Sequence, residues 1–304
     1  MNITLPDGSV RELKTGSTGF DLAMDIGPGL AKAAIAVNVN GDQKDLSDPI
    51  NKDSEVSIIT IDSSEGLEIM RHTLTAQVLA RAVKNLYPDS KLAIGPTITD
   101  GFYYDFEFKK PISPDDLPKI EKEMKKIIDL KSSITKSLHS RDDAVNIFKE
   151  NAESYKESII EESDQVDNFQ LYYQDDKEFV DLCRGPHLPS LKHIGSFKLT
   201  KLAGAYWKGD SKNKMLTRIY GTAWKNDKDL NAHLHSIEEA EKRDHRKLGK
   251  EMKLFHFQEE APGMVFWHPN GWTIYRLLQD FIRNKLQEYD YQEINTCLLY
   301  TSDA

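Results

Sequence analysis

Residues with reactive side chains are concentrated in one short stretch of the sequence. A thiol and an imidazole, Cys183 and His187, are four positions apart, and the carboxylate of Asp181 precedes them at the end of a predicted strand. The intervening Gly185-Pro186 excludes a helix, so we expect a tight loop. A thiol, an imidazole and a carboxylate so close together can bind a metal, position a water or form a nucleophile–base pair. The spacing alone leaves these possibilities, and a purely structural loop, open.

A second candidate is His72, near the start of a helix predicted from Met70 to about Leu86. A histidine four residues further on would place two imidazoles on one helix face. That position holds Ala76, and Gln77 follows it, so the pair is absent. Taken alone, a single helical histidine is typical of a surface or capping residue.

Lys156 stands out because residues 150–167 contain seven acidic side chains and no other lysine. From spacing alone, such a lysine is predicted to form a solvated ion pair.

A basic and aromatic segment lies between Lys198 and Arg218. It contains six basic residues and only one acidic residue, Asp210, with Tyr206 and Trp207 between them. Base stacking combined with phosphate contacts would make this an RNA-binding surface. A solvated hairpin with a core tryptophan is the alternative.

The elements that must position these residues are arranged in successive modules. Residues 1–62 are predicted to form a hairpin, a helix and further strands, a small ubiquitin-like pattern. Residues 63–225 mix amphipathic helices with short strands, residues 226–250 form a long helix, and residues 251–296 begin another domain. Residues 297–304 resemble a translated sequencing adapter, and we exclude them from the fold prediction.

Composition excludes several classes of protein. The 304 residues include 40 basic and 49 acidic side chains, a net charge of −9, which argues against binding polyanions through bulk charge. No apolar run approaches the roughly 18–20 residues that span a bilayer. Two cysteines, Cys183 and Cys297, cannot form a disulfide framework. The start lacks the pattern of a signal peptide. We therefore expect a cytoplasmic protein with no membrane partner.

The order of several motifs resembles the bacterial threonyl-tRNA synthetases, from residue 2 to about residue 296. The motifs are Leu5-Pro6-Asp7-Gly8, Gly101-Phe102-Tyr103-Tyr104-Asp105, Cys183-Arg184-Gly185-Pro186-His187, Ala203-Gly204-Ala205-Tyr206-Trp207, Arg218-Ile219-Tyr220-Gly221-Thr222-Ala223-Trp224 and Glu259-Glu260-Ala261-Pro262-Gly263-Met264.

This resemblance implies an α+β multidomain fold. A ubiquitin-like TGS β-grasp module would be followed by the second additional, editing domain, a linker helix and the start of a truncated class II catalytic domain. The family joins threonine to tRNA(Thr) using ATP and acts as a homodimer. This portion would bind tRNA and hydrolyse Ser-tRNA(Thr). The ATP and Zn²⁺ sites would lie beyond it, so we expect no cofactor, no metal and no DNA partner here.

The resemblance also implies roles for individual residues. His72 and His187 would position water and transfer protons, beside the matching Cys183. Lys156 and Asp181 would recognise the aminoacyl group. The residues implied to contact tRNA are Tyr104, near the terminal adenosine, and Lys198, Lys201, Tyr206, Trp207, Lys208 and Arg218, at the acceptor stem.

One departure from the family bears on whether the site is active. The family's Arg-His-x-x-x-His pattern contains one extra residue here, and Gln77 stands where the second histidine is expected. His72 either keeps its place through a local bulge or rotates by about 100° away from the site.

Two alternatives to an active editing enzyme follow from this departure. One is a tRNA-binding or trans-editing module whose editing site is degenerate. The other is a zinc site built from His72, Cys183 and His187, to which Gln77 would be a poor fourth ligand.

Overall fold

A computed structural model describes residues 1–175 and 179–294, so Cys297 and the adapter-like segment lie outside the described residues. The chain divides into two compact units, residues 1–231 and residues from 232 onward. The first unit contains two modules: one apolar cluster lies within the first module, and another, centred on the second module, also includes Ile35, Ala36 and Ile59 of the first. None of the described helices combines the length and apolar character needed to cross a membrane.

The first module is a five-stranded sheet covered by two helices. The strand order is β2-β1-β5-β3-β4, with β1 parallel to β5 and the other pairs antiparallel. A capping box between Thr18 and Asp21 begins the main helix, whose Leu22 packs in the core against Ile3 and Val37. The predicted hairpin, helix and strands are therefore present. The elements are β1 (Asn2–Thr4), β2 (Val10–Glu12), α1 (Gly19–Ile26), α2 (Pro28–Ala33), β3 (Ala34–Val39), β4 (Asp42–Asp45) and β5 (Ser54–Thr60).

The second module packs a buried helix between two antiparallel sheets. Its helix comprises α3 (Ser64–Thr73), a π-helical segment (Leu74–Leu79) and α4 (Ala80–Leu86). The larger sheet has the order β12-β13-β8-β6, with β7 also paired to β8, and the smaller has the order β11-β10-β9. The remaining elements are β6 (Lys91–Leu92), β7 (Thr97–Ile98), β8 (Gly101–Glu107), α5 (Leu117–Asp129), β9 (Ile134–His139), α6 (Arg141–Glu150), α7 (Ser154–Glu161), β10 (Phe169–Gln174), β11 (Val180–Leu182), β12 (Ser196–Tyr206) and β13 (Met215–Trp224).

The predicted alternation along β8 is present and creates the main core. Phe102, Tyr104 and Phe106 share the predicted face and are fully buried. They belong to one apolar cluster with the buried helix, including Leu74 and Val78. The helix is therefore enclosed by apolar side chains along its length.

The predicted single long helix before the last domain is wrong. It is two helices, α8 (Asp227–Lys242) and α9 (His245–Glu251), separated by Arg243 and Asp244. The Asp244 side chain accepts a hydrogen bond from the backbone N–H of Arg246, so it caps the start of a new helix. A short hairpin, β14 (Phe255–His256) and β15 (Phe266–Trp267), precedes α10 (Pro269–Glu288).

The α10 helix exposes an apolar surface, and we expect the chain to self-associate through it. Leu277, Leu278, Phe281 and Ile282 are each more than half exposed. Exposed apolar patches of this kind mark interaction sites. The double variant Leu278→Lys/Phe281→Lys should shift the molecular mass measured by light scattering towards the monomer. Gln287→Lys, on the same helix, should not. A monomer at high concentration in the unaltered chain would contradict the prediction.

Candidate active site

A cavity of about 550 Å³ in the second module contains most of the residues predicted to act on the aminoacyl ester. Four of the five residues predicted to be catalytic line it, and the fifth, His187, packs against His72, with ring centroids 4.6 Å apart. The buried helix contributes His72, and α7 contributes Lys156. Asp181 lies on β11, and Cys183 lies on the loop that follows it. The lining includes His72, Ala76, Gly95, Tyr104, Lys156, Phe169, Asp181, Cys183 and Arg184.

The two reactive segments found in the sequence meet at this cavity. His72 Nε2 lies 2.6 Å from the Sγ atom of Cys183. Burial lowers the pKa of His72 below its ordinary value of 6.5, and nearby carboxylates oppose this only in part. His72 is therefore neutral at neutral pH and has a ring nitrogen available to accept a proton.

The π-helical segment explains how His72 keeps this position. The backbone N–H of Ala80 donates to the carbonyl of Thr75, a five-residue step that accommodates one additional residue per turn. The sequence left open a local bulge or a rotation of His72, and the bulge is confirmed. His72 therefore faces the Cys183 loop despite the extra residue.

Gln77 does not replace the missing histidine in the cavity. Ala76 is part of the cavity wall, whereas Gln77 is not among the described lining residues. The Gln77 carbonyl instead accepts a 2.7 Å hydrogen bond from the side chain of Gln174, whose amide oxygen accepts one from Arg81. Gln77 thus belongs to a polar network behind the site.

His187 is fixed by the residue that follows His72 in the sequence. The Thr73 hydroxyl donates to the carbonyl of Ile69, and it accepts from the backbone N–H of Leu188. Its distance to His187 Nδ1 is 3.1 Å. Because the hydroxyl proton is already used, neutral His187 must carry its proton on Nδ1. The lone pair then lies on Nε2, which is buried and has no hydrogen-bond partner.

A buried ion pair forms another part of the cavity wall. Lys156 Nζ lies 2.6 Å from Asp181 Oδ1, and both side chains are at most 5% exposed. The prediction of a solvated pair from spacing alone is therefore wrong: the acidic stretch around Lys156 folds so that α7 directs this lysine inward. Burial raises the pKa of Asp181, and the ammonium group of Lys156 opposes that shift.

Tyr104 is a buried part of the same group. Its hydroxyl donates to Asp181 Oδ2 at 3.3 Å, and its ring lies 5.5 Å from Lys156 Nζ. Burial and the neighbouring carboxylate raise the pKa of Tyr104 well above its ordinary value, so the hydroxyl stays protonated. The cavity wall thus presents an ammonium, a carboxylate and a phenol together with a thiol beside an imidazole.

Several of the residues predicted to contact tRNA lie on the β12–β13 hairpin and are already engaged within the chain. Lys198 pairs with Glu121, Lys208 with Glu162 and Arg218 with Asp105. Trp207 packs edge-on against Tyr155. Lys201 lies over the ring of Tyr220, and Tyr206 is 41% exposed.

Sequence reasoning missed the residues that hold the Cys183–His187 loop from outside. The backbone N–H of His187 donates to Asp45, a residue of the first module. Tyr172 packs against the His187 ring, and Gly185, with φ of +66°, lies directly against the Tyr172 hydroxyl. Glycine, proline and aspartate turns are common, so nothing in the sequence distinguished these positions.

Comparison with known proteins gives two domain matches. Residues 1–60 match the TGS domain, and residues 170–220 match the threonyl and alanyl tRNA synthetase second additional domain. These matches cover the first module and the part of the second module that contains the Cys183–His187 loop.

Curated threonine–tRNA ligases are similar over almost the whole chain. Those from Hahella chejuensis and Prochlorococcus marinus are 55% and 54% identical over 294 residues, and that of Paramagnetospirillum magneticum is 53% identical over 296 residues. Each match covers 97% of this chain and 46% of the relative, so the chain spans about half the length of the curated relatives it matches. Over 97% of its length the chain is therefore similar to about half of each of these threonine–tRNA ligases, and two of its segments match the TGS domain and the threonyl and alanyl tRNA synthetase second additional domain.

Proposed function

We propose that this chain is the tRNA-binding and editing portion of a threonine–tRNA ligase and that its cavity hydrolyses Ser-tRNA(Thr). The observation that carries the proposal is the cavity in which His72 and Cys183 face the buried Lys156–Asp181 pair. The whole enzyme would join threonine to tRNA(Thr) in the cytoplasm using ATP, with its ATP and zinc sites outside this chain. It would act as a homodimer.

The need for such a site follows from the small difference between the two amino acids. Serine lacks one methyl group of threonine, and a missing methyl group is worth only about 1–3 kcal/mol in discrimination. A synthetic site alone would therefore charge serine at a harmful frequency. A second site that hydrolyses the wrong ester supplies the remaining accuracy.

The proposed reaction adds water to the ester carbonyl of the aminoacyl group. The carbon–oxygen bond to the terminal ribose breaks, and the ribose oxygen takes up a proton. Neutral His72, or the lone pair on His187 Nε2, can take a proton from the attacking water and return one to the ribose oxygen. Cys183 holds the His72 ring in place through the Nε2–Sγ contact.

The group formed by Lys156, Asp181 and Tyr104 in the cavity wall suits the aminoacyl group. Lys156 and the protonated Tyr104 hydroxyl can donate hydrogen bonds to substrate oxygens, and Asp181 can accept one from an amine or hydroxyl. Serine and threonine differ beside their hydroxyl, so a group that binds this hydroxyl also senses the methyl group next to it. The exposed Tyr206 and Lys201 on the β12–β13 hairpin provide a stacking and phosphate-binding surface for tRNA.

A metal-assisted site is a second candidate because one donor atom each from His72, Cys183 and His187 lies within 4.8 Å of the others. A thiolate and two imidazoles fit a three-ligand zinc site with an open position for water. Zinc bound there would supply an activated water. The expectation that this portion needs no metal is the simpler proposal, and the binding-only alternative requires no hydrolysis at all.

The first prediction addresses hydrolysis itself. Cys183→Ala and His187→Ala should each slow deacylation of Ser-tRNA(Thr) by roughly 10²- to 10⁴-fold, the range for a positioned proton-transfer group. The measurement is single-turnover release of labelled serine, with His193→Ala as a control outside the cavity. Because burial lowers the pKa of His72, the rate should hold down to about pH 6.5 and fall only below it.

Three outcomes separate the candidates. No hydrolysis by the unaltered chain, with tRNA binding intact, would leave the binding-only alternative. Loss of the rate on chelation and its recovery on adding zinc would favour the metal-assisted site. If both alanine variants hydrolyse Ser-tRNA(Thr) as fast as the unaltered chain, the assignment of this pocket is refuted.

The second prediction concerns selectivity. Lys156→Ala should reduce the preference for the seryl ester over the threonyl ester, because it removes a cation from the part of the cavity wall that binds the aminoacyl group. The alanine variant leaves the buried carboxylate of Asp181 unpaired, which typically costs about 3–5 kcal/mol of stability. The double variant Lys156→Met/Asp181→Asn removes both charges. Both should lose selectivity in paired deacylation assays, and a double variant that keeps it would contradict the prediction.

The third prediction concerns the π-helical segment. Deleting Thr75 while changing Gln77→His restores the family spacing and places a second imidazole four residues after His72. Deacylation of Ser-tRNA(Thr) should rise tenfold or more, since a general base contributes about 10²-fold or more. Gln77→His without the deletion is the matched control, and it should have a much smaller effect because the side chain at position 77 lies against Gln174 and not in the cavity wall. An equal rate in the folded deletion variant and the unaltered chain would show that a second histidine has no role.

A further inference from the structure

Asp45, the last residue of β4, makes three polar contacts to the second module although it belongs to the first. Its Oδ1 atom accepts the backbone N–H of His187 at 2.8 Å. Its Oδ2 atom accepts the Tyr172 hydroxyl at 2.7 Å and pairs with Lys136 at 2.9 Å. Asp45 is 7% exposed, so these contacts are made largely out of water.

Two of these contacts act on the same imidazole. The backbone contact fixes the chain at His187, while Tyr172 packs its ring 4.3 Å from the His187 ring, at an interplanar angle of 70°. Asp45 therefore binds both the backbone N–H of His187 and the hydroxyl of Tyr172, whose ring packs against the His187 side chain. Thr73 contacts the ring at Nδ1, and the His72 ring packs against it with centroids 4.6 Å apart.

The loop is shaped to allow this contact. A Cβ atom at Gly185 would lie 2.0 Å from the Tyr172 hydroxyl oxygen and 3.6 Å from Asp45 Oδ2. Only glycine lets the loop approach Tyr172 and Asp45 this closely, and its φ of +66° also favours glycine. The close approach, the two carboxylate contacts and the compensating charge of Lys136 form one assembly across the two modules.

We propose that Asp45 of the TGS module is a positioning residue for His187 in the editing site. The proposal rests on the proposed editing function for its catalytic consequence. The TGS module thereby contributes to the editing site itself, because it supplies the carboxylate that accepts the backbone N–H of His187 and so fixes the position of this residue. A carboxylate suits this role because its two oxygens serve His187 and Tyr172 simultaneously.

The first test measures the positioning without any substrate. Amide hydrogen exchange at His187, followed by NMR on the full chain, should be at least about tenfold faster in Asp45→Ala, because the amide loses its buried acceptor. Asp48→Asn is the matched control: Asp48 also pairs with Lys136, and among the described residues its side chain makes no hydrogen bond to His187 or Tyr172. Its His187 amide should exchange as in the unaltered chain. Unchanged exchange in Asp45→Ala would overturn the proposal.

The second test asks whether Asp45 acts through His187 in the reaction. Asp45→Ala should lower kcat for deacylation by about 10- to 10²-fold, as small misplacements of a reacting group do, and leave KM for Ser-tRNA(Thr) unchanged. In a His187→Ala background the same change should have little further effect. An equal loss in both backgrounds would indicate a general structural role and overturn the proposal.

Two further variants keep the tests decisive. Asp45→Asn retains one oxygen for the His187 amide and should recover most of the lost protection and kcat; an asparagine variant as impaired as alanine would overturn the acceptor role. If Asp45→Ala does not fold, Asp45→Leu, which keeps the branch at Cγ and has no acceptor, replaces it with the same expectations. Faster exchange without any deacylation by the unaltered chain would refute the proposed function and support the positioning.

Discussion

The buried helix of the second module is fixed at both ends, and the geometry of the site depends on this constraint. At its start, Gly66 lies so close to the carbonyl of Thr60 that a Cβ atom would approach it to 1.9 Å. At its other end, Ala80, Ala82 and Val83 are completely buried. Neither end can rotate without breaking these contacts. An additional residue between them must therefore be absorbed locally, and a wide π turn absorbs one residue without changing the rest of the helix.

The family pattern has two histidines on one helix turn. Here the wide turn places the two corresponding positions in different surroundings. His72 lies before the wide turn and keeps its contact with Cys183. Gln77 lies inside it and joins Gln174 in a buried network. The helix thus preserves one of the two expected histidine positions and reassigns the other to structure. Thr73, directly before the wide turn, contacts the His187 loop. Its hydroxyl donates to Ile69 and accepts hydrogen bonds from Leu188 and His187.

Residue type and spacing predicted the parts of the site that are local in the sequence. Cys183 and His187 were found because two reactive side chains lie close together in a segment that Gly185-Pro186 keeps out of a helix. The two outcomes for His72 followed from the resemblance to the family's histidine pattern combined with helix geometry. Lys156 required the fold, since only the packing of α7 shows that this lysine points inward to Asp181. Asp45 could not be found from local patterns, because its contact with His187 joins residues 142 positions apart. The break between α8 and α9 had a visible signal in Asp244, but helical periodicity on both sides concealed it.

The polar atoms around the cavity show where the packing leaves room for chemistry. Buried polar groups in folded proteins nearly always have hydrogen-bond partners, and an exception calls for a reason. At His187, the backbone N–H donates to Asp45, and Nδ1 lies 3.1 Å from the Thr73 hydroxyl. Nε2 has no hydrogen-bond partner among the described protein atoms. A ring held at Nδ1 by Thr73, with no protein partner at Nε2, suits the proposed role of accepting a proton or a ligand.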